Sequence, residues 1–128
     1  MSFNTYAKDL TDLALERLED AKALLTAKRY WGAVYICGYA VELALKAKIC
    51  KTLGWDDYPP KNVKELKTHK LDVLLHFSGA EKLVGTSYKG EWSVVEKWNP
   101  EKRYTNISVD LADATQMITA TETLLGVL

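Results

Sequence analysis

The side chains best suited to binding or catalysis lie in the stretch YWGAVYICGYAVELALKAKICKTLG, residues 30–54. Near its centre it carries Glu42 and Lys46, four residues apart with the acid first, which is the order that favours an ion pair on a helix. At about 100° per residue, they share one arc of the helix, about 100° wide, while the remaining arc is apolar. We call this narrower arc the ring stripe; it comprises Trp31, Tyr35, Gly38, Tyr39, Glu42, Lys46 and Ile49.

A solvent-facing helix side more often carries several charges and few large rings, so the ring stripe is typical of a surface that becomes covered. Tyr and Trp are common in subunit interfaces and ligand grooves because they bury a large area while keeping a polar group. Three interpretations remain open: the stripe lies under the chain's own middle segment, it forms a dimer interface, or it lines a ligand or catalytic groove.

Two histidines, His69 and His76, are the other candidates for chemistry, and Asp72 lies between them. On one helix these three would share a face, but the histidines would lie about 10 Å apart along the axis, too far to hold one metal ion without a further ligand. We therefore predict no metal site and no cofactor. The neighbouring basic run, residues 61–70, has no interleaved aromatics and predicts a solvated segment or a weak phosphate-facing patch.

The spacing of apolar residues predicts the elements that position these groups. Leu10, Ala14, Leu18, Ala21 and Leu25 step by three or four, which predicts a helix over about residues 4–28. A second helix over 30–53 ends at Gly54, and a last helix begins with Ser108 as its N-cap and presents a seam starting at Leu111. Shorter helical stretches are expected near 68–77, 80–84 and 91–98. The predicted fold is an all-α, up-down bundle with three long helices and shorter helices between the second and last, forming one domain over residues 1–128.

Bulk properties exclude several classes of protein. Lys and Arg total 17 and Asp and Glu total 17, so no overall field attracts nucleic acid or an anionic membrane. The beginning of the chain does not resemble a signal peptide, and no apolar run is long enough to cross a membrane. Cys37 and Cys50 are too far apart on one helix to bond to each other, which favours a reduced, cytoplasmic protein.

The second predicted helix resembles that of prokaryotic members of the HEPN family, in which the pattern A-x-Y-x-x-G-Y-A-x-E-x-x-L-K-A recurs. The matching positions here are Ala33, Tyr35, Gly38, Tyr39, Ala40, Glu42, Leu45, Lys46 and Ala47. His69 and Leu71 resemble the family's His-x-Leu segment. Arg103 and Tyr104 resemble the Arg-Tyr that often precedes its last helix.

The resemblance implies a helical bundle, frequently homodimeric, and roles as toxin ribonucleases, as partners of nucleotidyltransferases in toxin–antitoxin or defence systems, or as nonenzymatic modules. Nuclease members share an Arg followed, after four to six residues, by a His at the last helix. Beyond Arg103 those positions hold Ser108, Val109 and Asp110. The resemblance thus implies an accessory or binding module, homodimeric, for a nucleotide, an RNA or a nucleotidyltransferase-type protein. The alternative is a divergent, metal-independent ribonuclease in which Arg103 holds the phosphate and His69 is the base; Arg103 could instead pair with an acid such as Glu42.

Overall fold

A computed structural model describes residues 5–59, 66–99 and 108–128 of the chain. Within these ranges six helices and one short strand pair occur. The helices are α1 (Ala7–Thr26), α2 (Tyr30–Leu53), α3 (Leu71–Ser78), α4 (Glu81–Ser87), α5 (Lys89–Val95) and α6 (Leu111–Val127), and the strands are β1 (Thr5–Tyr6) and β2 (Asp57–Tyr58). The predicted all-α class is confirmed, with three long helices and three shorter ones between the second and last.

Helix α2 lies at the centre of the structure and packs against α1, α3 and α6. Its broad apolar arc explains this position, because Cys37, Val41 and Leu45 are fully buried among the other helices. The predicted seam of α1 is also buried: Leu10, Ala14, Leu18 and Ala21 all lie in the core, at steps of four, four and three residues. The two helices therefore pack along the faces that their apolar spacing predicts.

Left-handed residues end both long N-terminal helices. Gly54 ends α2 at a φ of 70°, as its position in the sequence predicts. The end of α1 is less expected, because Lys28 takes the left-handed conformation there with a φ of 61°. The amides of Lys28 and Arg29 donate to the carbonyls of Leu25 and Leu24, which is the hydrogen-bond pattern of a Schellman motif.

The start of α6 differs from the prediction. Its N-cap is Asp110 rather than Ser108: the Asp110 carboxylate accepts from the Asp113 amide at 2.8 Å, and the Asp110 amide donates to the Asp113 carboxylate at 3.3 Å. This reciprocal capping box satisfies two backbone donors, which a serine two residues earlier could not reach. Leu111, predicted as the first seam residue, is 54% exposed, and the buried seam begins at Ala114.

The middle segment also differs in detail. Strands β1 and β2 pair antiparallel, with Thr5 opposite Tyr58, although no alternating pattern predicts a strand there. Helix α3 begins at Leu71, and the Thr68 hydroxyl accepts from the Lys70 amide ahead of the helix instead of capping it. The hydroxyl of Thr52 in α2 donates to the carbonyl of Ser78 at 2.7 Å and ties the end of α3 to the central helix.

Candidate functional site

Glu42 is the buried charge at the centre of the ring stripe. Its side chain is 5% exposed, and each of its carboxylate oxygens has a partner. Lys46 Nζ donates to Oε2 at 3.0 Å, one helical turn away, and His69 Nδ1 lies 2.7 Å from Oε1. Because the carboxylate is the acceptor, Nδ1 of His69 carries the hydrogen. A buried carboxylate with two charge-assisted contacts is satisfied, which explains why this position tolerates an acid.

Lys46 is held from a second direction by the β2 strand. Its Nζ lies 5.3 Å from the centroid of the Tyr58 ring, a cation–π distance. The Tyr58 hydroxyl donates to the carbonyl of Leu66 at 2.6 Å. Burial raises the pKa of Tyr58 above its ordinary value, with smaller contributions from Cys50 and Glu42. Tyr58 therefore remains a neutral hydrogen-bond donor at physiological pH and links β2 to the segment that carries His69.

Aromatic rings continue the stripe from Glu42 toward the start of α2. Tyr39 meets Tyr35 edge to face, with centroids 5.2 Å apart and hydroxyl oxygens 3.2 Å apart, and Tyr35 meets Trp31 at 5.8 Å. At the other end, Tyr39 lies edge to face with the His69 imidazole at 6.5 Å. The rings of Trp31, Tyr35 and Tyr39 are partly buried, so each retains some accessible surface.

Trp98, which follows α5, covers the middle of this row. Its indole lies 5.1 Å from the Tyr39 ring and 6.2 Å from the Tyr35 ring, and its Nε1 donates to the Tyr35 carbonyl at 3.0 Å. The ring lies directly on Gly38, where a Cβ would be 2.1 Å from indole atoms. The absence of a side chain at Gly38 thus makes room for the indole of Trp98.

The structure brings together most of the predicted site residues. Trp31, Tyr35, Tyr39, Glu42 and Lys46 form one continuous surface of α2, and His69 joins it from the chain ahead of α3. Ile49, which we assigned to the same stripe, is fully buried core. Arg103 and Tyr104 lie outside the described residues, as does any pairing of Arg103 with Glu42.

His76 lies elsewhere. It is on α3, its Nδ1 is 3.4 Å from a carboxylate oxygen of Glu81, and both side chains are exposed. His69 precedes α3, so the two histidines do not share a helix face and contact different carboxylates. Among the described residues, no group of three or more His, Cys, Asp or Glu side chains is placed to hold a metal ion.

Two contributors were missed by sequence reasoning, Trp98 and Tyr58. Trp98 had a signal, because a glycine amid large rings on one helix face requires something bulky to fill the gap above it. Tyr58 had none, since its contact with Lys46 depends on where the chain turns after Gly54.

Comparison of the sequence with known protein families identifies the family of this chain. The sequence model of the HEPN domain matches residues 7–128, nearly the whole chain. The chain belongs to the HEPN family. Searches of curated proteins and of solved structures returned no match. The HEPN family is associated with nucleotide-related, RNA-related and toxin–antitoxin roles.

In this HEPN domain, the ring stripe and its acid lie on the central helix, and the start of the last helix carries the Asp110–Asp113 capping box. None of the helices in the described ranges is both long and apolar enough to span a bilayer.

Proposed function

We propose that this HEPN domain is a homodimeric accessory or binding module that interacts with a nucleotide, an RNA or a nucleotidyltransferase-type partner. In this proposal it lacks the ribonuclease chemistry of other family members. The observation that carries the proposal is the start of α6. There the positions that would hold the nuclease histidine are Ser108, Val109 and Asp110, and Asp110 is engaged in capping the helix.

The chemistry at this helix start opposes phosphate binding. A ribonuclease of this kind needs a cation to hold the phosphate and an imidazole to move a proton near neutral pH. Asp110 and Asp113 instead place two carboxylates on the first turn, where their negative charge repels a phosphodiester. Each of these carboxylates already accepts a hydrogen bond from a backbone amide, which stabilises the helix.

The two histidines of the chain have other partners. His69 is hydrogen-bonded to buried Glu42, and His76 contacts Glu81 on an exposed face. The His69–Glu42 contact joins the chain ahead of α3 to the middle of α2, so its removal affects packing as well as any chemistry. This supports a structural role for His69.

The partly exposed rings supply a binding surface for such a module. Trp31 and Tyr35 lie near the start of α2, and their rings can pack against a partner chain or stack on a base. Rigid aromatic side chains bury area at low entropy cost, which suits either a homodimer or a nucleotide.

One observation favours a second candidate, a divergent ribonuclease using His69 and Arg103. Nδ1 of His69 is bound to Glu42 and the imidazole is 60% exposed, which leaves Nε2 available to a ligand as far as the described residues extend. A carboxylate that orients a histidine in this way is a recurrent arrangement for a general base.

RNA cleavage by the purified wild-type chain tests the proposal against this alternative. Incubation with single-stranded RNA in EDTA should give no cleavage above a buffer control. Cleavage by the wild type that disappears in both H69A and R103A would establish that the protein is a ribonuclease. Light scattering on the same sample tests the homodimer, which has twice the 14.4 kDa mass of the chain.

A further inference from the structure

A second surface, away from the ring stripe, is formed where α1, α2 and α6 meet. Small side chains make its floor, namely Ala14 of α1 and Ala44 and Ala47 of α2. Leu15 and the last leucines of the chain, Leu125 and Leu128, form its apolar walls. Because alanines leave a depression between packed helices, this arrangement is a groove, and Leu15 is 49% exposed beside it. We call it the alanine groove.

The alanine groove continues toward the beginning of α1. A second part of the groove adjoins the first and reaches Lys8 and Trp55. The two parts share the lining residues Thr11, Ala47 and Lys51. From Ala7 to Leu15 the α1 helix rises about 12 Å, at about 1.5 Å per residue. That length matches roughly two turns of a second helix lying alongside it.

The rim of the alanine groove is basic. Three lysines line it, Lys8, Lys48 and Lys51, against a single carboxylate, that of Asp56, among the described residues. Within those residues neither Lys48 nor Lys51 forms an ion pair. Two other cations of the bundle are ion-paired: Arg17 with Asp20 at 2.9 Å, and Lys22 with Glu122 at 2.6 Å.

Unpaired lysines beside an apolar floor point to a partner that is itself apolar and negatively charged. We infer that the alanine groove binds an acidic amphipathic helix of a different protein, with its apolar face on the alanines and its carboxylates toward Lys48 and Lys51. A second copy of this chain fits less well, since a two-fold contact through this surface would bring lysines to the same lysines. The inference rests on the proposed function in one respect, because it supplies the site through which an accessory module would engage a protein.

Photo-cross-linking in the native host tests this inference, with benzoylphenylalanine replacing Leu15 in the full chain. After irradiation, the cross-linked peptide is sequenced. We expect a segment of another protein with apolar residues every three or four positions and at least two acids among them. Reversing two charges in K48E/K51E should reduce the yield at least tenfold, while K82E/K89E, which alters exposed lysines of α4 and α5, should leave it unchanged.

Several results would overturn the inference. They are a cross-link to another copy of this chain, to lipid, or to a segment without acids, the absence of any cross-link, and an undiminished yield from K48E/K51E. Circular dichroism and the melting temperature confirm that each variant is folded. The RNA-cleavage test of the proposed function uses H69A and R103A and none of the groove variants, so its failure is read independently of this result.

Discussion

His69 Nδ1 lies 2.7 Å from a carboxylate oxygen of Glu42, although 27 residues separate them. The other oxygen of that carboxylate holds Lys46, and the Glu42 side chain is almost inaccessible to water. Two segments are thereby fixed by one buried acid: the middle of α2 and the chain entering α3. Glu42 thus organises the segment that packs on α2, which explains why so apolar a helix carries charges at its centre.

Replacement of Glu42 should be strongly destabilising. E42A leaves Lys46, whose side chain is 16% exposed, without its carboxylate and releases His69. Removing one partner of a buried pair costs about 3 kcal/mol, because the other charge remains desolvated. Urea unfolding monitored by tryptophan fluorescence measures this loss.

E16A is the matched control for that measurement. Glu16 is 65% exposed and lies 3.6 Å from Arg17, so the change should cost less than about 1 kcal/mol. Equal losses for E42A and E16A would mean that Glu42 does not anchor the segment.

The contact between Gly38 and Trp98 predicts an asymmetry among glycine substitutions. G38A places a methyl group 2.1 Å from the indole, so Trp98 must move and the unfolding free energy should fall by roughly 1–3 kcal/mol. G85A, in α4, meets nothing within 4 Å and should instead stabilise by roughly 0.5–1 kcal/mol through helix propensity. Thermal melts of the two variants, shifting in opposite directions, are the expected result; a stable G38A would show that Trp98 does not lie on α2.

The left-handed residue that ends α1 offers a stabilising change. Lys28 carries a Cβ at a φ of 61°, which costs about 1 kcal/mol relative to glycine. K28G should therefore raise the unfolding free energy by about that amount, whereas K28A, which keeps the Cβ, should not. Chemical denaturation of the three proteins measures this, and an equal effect of both substitutions would contradict the assignment of the Schellman motif.

Buried Cys37 predicts how stability depends on alkaline pH. Burial raises the pKa of its thiol to about 11 from 9.0, so the folded state retains the proton where the unfolded state has lost it. The resulting stability is fully present below pH 9 and is lost as the pH rises through 11, an effect on the order of 2 kcal/mol. Tyr58, whose pKa is also raised by burial, acts in the same direction.

Unfolding free energies measured from pH 8 to 11 test this prediction. The C37A variant should show a shallower decline than the wild type, since alanine has no proton to lose. A wild-type curve that is flat or rises over this range would contradict the burial of the thiol.

The sequence predicted what depends on local periodicity. The bounds of α2 follow from its apolar arc and from Gly54, and the buried face of α1 follows from its spacing. The predicted N-cap of α6 was wrong because Ser108 and Asp110 are both good capping residues. Only the reciprocal hydrogen bonds with Asp113 select Asp110. The strand pair β1–β2 has two residues a side, too short for any period to be visible.

The candidate site was predictable only along α2. Helical spacing placed Tyr35, Tyr39, Glu42 and Lys46 on one face, because all belong to one element. The contacts of Glu42 with His69 and of Gly38 with Trp98 join residues far apart in the chain, and no local pattern encodes which distant segment packs on the helix. Arg103 and Tyr104, predicted as site residues, lie outside the described residues and stay predictions.

A single-turnover assay tests most directly whether this HEPN domain lacks RNA-cleaving activity. Purified protein in molar excess over an end-labelled RNA is followed over hours in EDTA, beside an H69A/R103A double variant prepared identically. We predict indistinguishable RNA decay in both samples. Decay that is faster with the wild type, by tenfold or more, would contradict the proposed function and assign His69 and Arg103 to catalysis.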